Sequence, residues 1–186
     1  LMIRPEQVWR RQPEVALTEQ REASEDAVMT RIGQAVILLH AGDREEARNR
    51  LGEIWSELGE GGDLLHRCTL AHYMADAQDD PADELAWDLR ALSAAEGIAD
   101  GPPARPQPDH AVRVFYPSLH LNLAADYAKL RRPEAARAHL ARARAATGAL
   151  ADDGYGNGVR AAIARLERRL DAEPDGRARP FPEQGP

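Results

Sequence analysis

The stretch "LHLNLAADYAKLRRPEAARAHLARARAA", residues 119–146, decides the fold class. Before the "RRP" segment, Leu123, Ala124, Tyr127 and Leu130 recur at helical spacing; after it, Ala136, Leu140 and Ala143 do the same. Each set falls on one face of a helix. Pro133 has no N–H to give to a continuing helix, but its fixed φ suits the first position of a new one, so the chain must turn there. Small residues sit where paired helices must approach closely, and large ones fill the holes between them. The stretch therefore reads as two helices packed face to face across a tight turn.

Outward from this hairpin the pattern repeats. "SEDAVMTRIGQAVILLHAGD" offers Ser24 as an N-cap, apolar Val28, Ile32, Ala35, Val36 and Leu39 at helical spacing, then a Gly-Asp stop. Asp43 caps the next helix, with Glu46 placed for a capping box and Ala47, Leu51, Ile54, Trp55 and Leu58 on one stripe. A third helix runs over residues 64–78. A fourth follows Asp80 and Pro81, ends before Gly97, and buries Leu85, Leu89 and Leu92. Residues 98–111 form a long Pro-rich loop, and a fifth helix covers residues 112–130, with Pro117 at its start or kinking it. Gly148 closes the sixth. "DDGYGNG" is a glycine-rich turn, with Tyr155 packing on the sixth helix, and a seventh helix carries Val159, Ile163, Leu166 and Leu170 on its apolar face. The expected organisation is an N-terminal segment over residues 1–23, partly helical or extended, a helical domain over 24–172, and a disordered tail over 173–186.

Composition agrees with an all-α class. Aromatics make up 5% of the chain while Ala, Leu, Arg and Glu dominate, and these residues lose least on entering a helix. One cysteine cannot form an internal disulfide, no segment resembles a signal peptide, and no apolar run reaches the roughly 20 residues that span a bilayer. A cytoplasmic protein without membrane contact is expected. The net charge of −7 is uneven: residues 14–111 carry 8 Lys/Arg against 21 Asp/Glu, and residues 112–172 carry 11 against 6. Solvated helix faces account for this, as does head-to-tail association into a homo-oligomer or an acidic partner for the basic half. Nucleic acid is not expected, because the arginines follow helical-surface spacing with no interleaved aromatics.

Helices in similar pairs call for a repeat. The hairpin at 119–146 closely resembles a tetratricopeptide repeat, through Leu123-Ala124, Tyr127 and Leu130 on the first helix and Ala136, Leu140 and Ala143 on the second. Ala35, Leu38, Ala47, Leu51 and Ile54 fit more loosely, as do Leu70-Ala71 and Met74, where the turn needs about one extra residue. The resemblance covers residues 24–147 and departs from a strict repeat period. It implies a right-handed α-solenoid of about three such pairs plus a C-terminal capping helix that shields the last apolar face.

The resemblance also implies a concave groove lined by the first helix of each pair. In this register its candidate residues are Ile32, Val36 and His40 from the first pair, Cys68, His72 and Asp76 from the second, and Ser118, Leu121, Asn122 and Lys129 from the third. Ile32, Val36 and Leu121 would supply apolar contact, and His72, Asp76, Asn122 and Lys129 orientation. The expected function is non-enzymatic: a module or scaffold that receives a protein, peptide or helix. The alternative is a ligand- or peptide-responsive sensor acting on a separate partner. Some proteins of this kind clamp a chaperone's C-terminal carboxylate with Lys, Asn and Arg. Here only Asn122 and Lys129 match, while Met29, Ile32 and Val36 stand where polar clamp residues are needed.

"HRCTLAHYMAD", residues 66–76, raises metal and thiol chemistry. Cys68, His72 and Asp76 share a helical face, but His66 is rotated about 200° from Cys68, so the helix alone cannot close around zinc; His40 or His120 would have to help. A thiol enzyme using Cys68 is the remote alternative, since a nucleophile needs an oriented base and an oxyanion hole. No phosphate-loop, dinucleotide, C-x-x-C or H-E-x-x-H pattern occurs. No catalytic residue, metal or cofactor is assigned. Gly33, inside the first helix, marks a close helix or ligand approach.

Overall fold

The computed structural model describes residues 12–100 and 108–172. Within them lie seven α-helices and no strand: α1 (Gln12–His40), α2 (Arg44–Leu58), α3 (Leu64–Asp76), α4 (Pro81–Ala99), α5 (Pro108–Lys129), α6 (Pro133–Ala145) and α7 (Gly154–Ala172), with a 3-10 turn at Thr147–Ala149. None of these helices is long and apolar enough to cross a membrane. The expected C-terminal tail and the start of the N-terminal segment lie outside the described residues.

Polar caps and proline set the helix starts. Asp43 accepts from the Glu46 N–H, Asp63 from those of Leu65 and His66, and Asp80 from those of Ala82 and Asp83 just ahead of Pro81. The turns after α1 and α5 share one hydrogen-bond scheme: the Asp43 N–H donates to the Leu38 carbonyl at 3.0 Å, and the Arg132 N–H to the Tyr127 carbonyl at 2.8 Å. This six-to-one bond places Gly42 (φ 92) and Arg131 (φ 58) in the left-handed region that ends a helix. The first and third hairpins thus turn at equivalent residues, and five positions after each, Ala47 and Ala136 are both fully buried.

The core is divided along the chain. Ile32, Ala35, Leu51, Ile54, Leu70 and Met74 join α1, α2 and α3. Cys68, Ala71, Ala91, Leu92, Leu119 and Leu123 join α3, α4 and α5. Ala124, Ala136, Leu140, Ile163, Leu166 and Leu170 join α5, α6 and α7. A small fourth cluster, Leu39, Ala47 and Ala77, closes the end of the first hairpin. Each large cluster thus spans a hairpin and the helix that follows, with α3 and α5 each shared by two. Trp55 of α2 meets Trp87 of α4 edge to face at 5.1 Å between ring centres, linking the first and second clusters.

Several local expectations change. Helix α1 begins at Gln12, so Ser24 is an exposed mid-helix residue, not a cap, and the N-terminal segment from Gln12 onward is helical. The Pro-rich loop is shorter than 98–111: α4 runs to Ala99 and α5 starts at Pro108. Gly97 lies inside α4, where an added Cβ would come 3.2 Å from Leu64 Cδ1, so it serves close packing of α4 on the start of α3. Leu89 is 41% exposed while Asp88 is buried, because α4 is rotated to put Asp88, Ala91, Leu92 and Ala95 inward. Pro117 sits within α5. The "GYGNG" residues form the first turns of α7. Gly33 is exposed and an added Cβ there meets nothing within 4 Å, so no close approach occurs.

Candidate functional site

A cleft of about 730 Å³ runs along the face made by the odd-numbered helices. Met29 lines it from α1, Cys68, Thr69, His72 and Tyr73 from α3, Phe115, Ser118, Leu119, Leu121 and Asn122 from α5, and Gly154, Tyr155, Gly158, Val159 and Ala162 from α7. No residue of α2, α4 or α6 contributes to that lining. The reason lies in the packing: the even helices bury their stripes behind α1, α3, α5 and α7, leaving one side of the latter uncovered.

The lining holds no Asp, Glu, Lys or Arg in a chain that is 30% charged. Its polar groups are largely occupied with one another. Asn122 Nδ2 lies 3.2 Å from His72 Nδ1. With the amide donating, Nδ1 accepts, and Nε2 lies 3.8 Å from Asp76 Oδ2. The Ser118 and Tyr155 hydroxyls hydrogen-bond across α5 and α7, and Thr69 Oγ1 donates to the Leu65 carbonyl. Such a surface offers apolar contact and a few neutral hydrogen-bonding groups.

Cys68, His72, Ser118, Leu121 and Asn122 are brought together at the cleft. The other candidates are not. Ile32 is 2% exposed in the first core cluster, where α1 crosses α2 and α3, and Val36 packs against the same cluster. Met29, about one turn earlier, takes the cleft position. His40 is exposed at the end of α1. Asp76 lies outside the lining behind His72, and Lys129 is held 2.6 Å from both carboxylate oxygens of Glu84 on α4. Tyr155 was expected on α6 but reaches Ser118 on α5. Sequence reasoning missed the α7 wall and Phe115; the available signal was the four-residue spacing of Gly154, Gly158 and Ala162, a smooth stripe on one helical face.

Burial, followed by the nearby Asp88 carboxyl, pushes the Cys68 thiol up to about 11, so it is a thiol at neutral pH and packs as a small apolar group. Among the described residues no group of three or more His, Cys, Asp or Glu could hold a metal ion. His120 turns to His139, with Nδ1 atoms 3.1 Å apart, and His66 is buried at the start of α3. Comparison of the chain with protein-family models, with curated proteins and with solved structures gives no match.

Proposed function

We propose that the protein is a short right-handed α-solenoid of tetratricopeptide-like pairs, with α7 as its cap, and that it acts as a non-enzymatic interaction module. The observation that carries this is a cleft lined, among the described residues, by α1, α3, α5 and α7 alone. Three core clusters in series, each spanning a hairpin and its successor, support the repeat reading. So do the matching turns at Gly42 and Arg131. The charge-free lining favours a peptide or amphipathic helix that inserts uncharged apolar side chains between Phe115, Leu121, Tyr155 and Met29, with His72 and Asn122 fixing its orientation. The protonated Cys68 thiol favours binding over covalent catalysis.

A small-molecule sensor is the second reading, supported by the cleft's size, which falls in the range of ligand pockets, roughly 300–1,000 Å³. Filling the cleft tests both. An added Cβ at Gly158 meets nothing within 4 Å, so Gly158→Leu should occupy the space without disturbing the fold. Affinity purification from the native source with this variant and with His72→Ala/Asn122→Ala should lose the protein or peptide that the parent chain retains. If the parent retains instead a small molecule, detected in the denatured eluate by mass spectrometry, the sensor reading holds. Identical recovery by parent and variants would refute a cleft function.

A further inference from the structure

Behind the cleft wall lies a pair of acids with no place in the binding reading. Asp88 of α4 is 2% exposed and Asp126 of α5 is 1% exposed, and the two carboxyl groups act directly on each other across the α4–α5 contact. Asp88 Oδ1 and Asp126 Oδ2 receive no hydrogen bond from any donor among the described residues. Two carboxylates in contact and away from water repel strongly, whereas a carboxylic acid facing a carboxylate supplies its own donor. A proton therefore belongs between them.

Their surroundings do not offset a second negative charge. Glu84 lies one turn before Asp88 on α4 and acts on both acids, and Asp76 of α3 acts on Asp88. The Cys68 thiol, also from α3, faces Asp88. Among the described residues, Lys129 of α5 is a cation at the pair, with Nζ 3.8 Å from Asp126 Oδ1 and 2.6 Å from the Glu84 carboxylate, so its charge is shared. From α6, His139 and Arg142 face His120 instead. Helix α7 meets α5 through Tyr155 at Ser118.

We propose that Asp88 and Asp126 form a proton-operated latch between the second and third helix pairs, closed while they share a proton and released when that proton leaves. Release sets two buried negative charges across the α4–α5 contact. That contact carries the second core cluster and, through Cys68 beside Asp88 and Asn122 one turn before Asp126, the middle of the cleft wall. Proton loss thus loosens the same wall that would hold a ligand, so cleft shape follows pH.

Burial first, then the neighbouring acids, raises Asp88 to about 9, and burial raises Asp126 to about 7. Both folded values lie above the roughly 3.9 of a free aspartate. The native chain then holds protons that the unfolded chain has given up, so this contribution to stability is complete below about pH 4 and falls as pH rises towards about 9.

The test uses the full chain. Between about pH 6.5 and pH 9 the folding equilibrium constant from urea titration should drop more than tenfold for the parent. It should drop less steeply for Asp126→Asn, which removes one of the two titrating acids and leaves an amide that can donate to Asp88. Amide exchange in α4 and α5, corrected for its intrinsic pH dependence, should accelerate over the same window, and more in the parent. Carbon-13 NMR of the parent's aspartate carboxyls, which needs no variant, should show one resonance still protonated at neutral pH. Parallel stability profiles for parent and Asp126→Asn, or aspartates that all titrate below about pH 5, would overturn the latch.

Discussion

Three glycines in the opening turns of α7 should respond to the same substitution with opposite signs. At Gly158 and Gly154 a Cβ meets nothing within 4 Å, so alanine adds helix propensity without a clash. For Gly158, five residues into the helix, the gain is up to about 1 kcal/mol. At Gly156, which is buried, the new Cβ would sit 2.0 Å from the Ala151 carbonyl oxygen and 3.2 Å from its carbon. These are backbone atoms and cannot swing aside. Moving them also disturbs Arg160, whose guanidinium donates to the Ala151 carbonyl at 3.2 Å and the Leu150 carbonyl at 2.9 Å. Overpacking of about 1–3 kcal/mol, loss of charge-assisted hydrogen bonding of about 1.5–3 kcal/mol, and the propensity gain of about 1 kcal/mol leave a net cost of roughly 1.5–5 kcal/mol for Gly156→Ala. With the full gain at Gly158, the two alanine variants should therefore differ by about 2.5–6 kcal/mol, or about 5–24 °C in Tm for a chain of this size. Far-UV circular dichroism melts measure the separation directly. A Gly156→Ala protein that melts with or above Gly158→Ala would refute the close approach of α7 to the chain before it.

Leu123→Ala, at a fully buried site between α5 and its neighbours, should cost about 2–5 kcal/mol by urea titration, with an unchanged denaturant slope. Arg131→Gly should stabilise by about 1 kcal/mol, since Arg131 holds φ 58 where glycine is unstrained; a loss of stability would show that its side chain matters more than its backbone. The His120–His139 contact works on the acid side. Burial, then His139 and Arg142, lowers His120 to about 4, and burial followed by Arg142 lowers His139 as well. Their contribution is present above about pH 6.5 and is lost as pH falls towards about 4, so the urea midpoint should fall over that range and do so less in His120→Phe.

Much of the fold was legible because its local signals are strong. Asp43, Asp80 with Pro81, and Pro133 mark helix starts that the structure keeps. Alanines at positions 35, 47, 71, 124, 136 and 143 mark the crossings and are all completely buried. What escaped was decided at a distance. Ser24 has the chemistry of a cap, yet the helix it would start is already running from Gln12. Apolar periodicity assigns Leu89 inward because it treats acids as exposed; Asp88 is buried instead, in contact with an acid 38 positions away in the chain. Cys68, His72, Ser118, Leu121 and Asn122 of the α3 and α5 walls were expected from the repeat resemblance, whereas Asp76 and Lys129 are not in the lining. The α7 wall was not expected, since closely spaced glycines have the local character of a turn and become helical here under the packing of Val159, Ile163, Leu166 and Leu170.

The division of the core into clusters joined through α3, α5 and the Trp55–Trp87 contact gives the molecule the mechanics of springs joined end to end. Compliances of springs in series add, so small adjustments at each hairpin accumulate into a bend of the whole, while strain introduced at one end decays before reaching the other. The cleft touches α1, α3, α5 and α7 together. Anything seated there acts as a strut across every spring at once, and would stiffen the four helices together even where it makes few contacts.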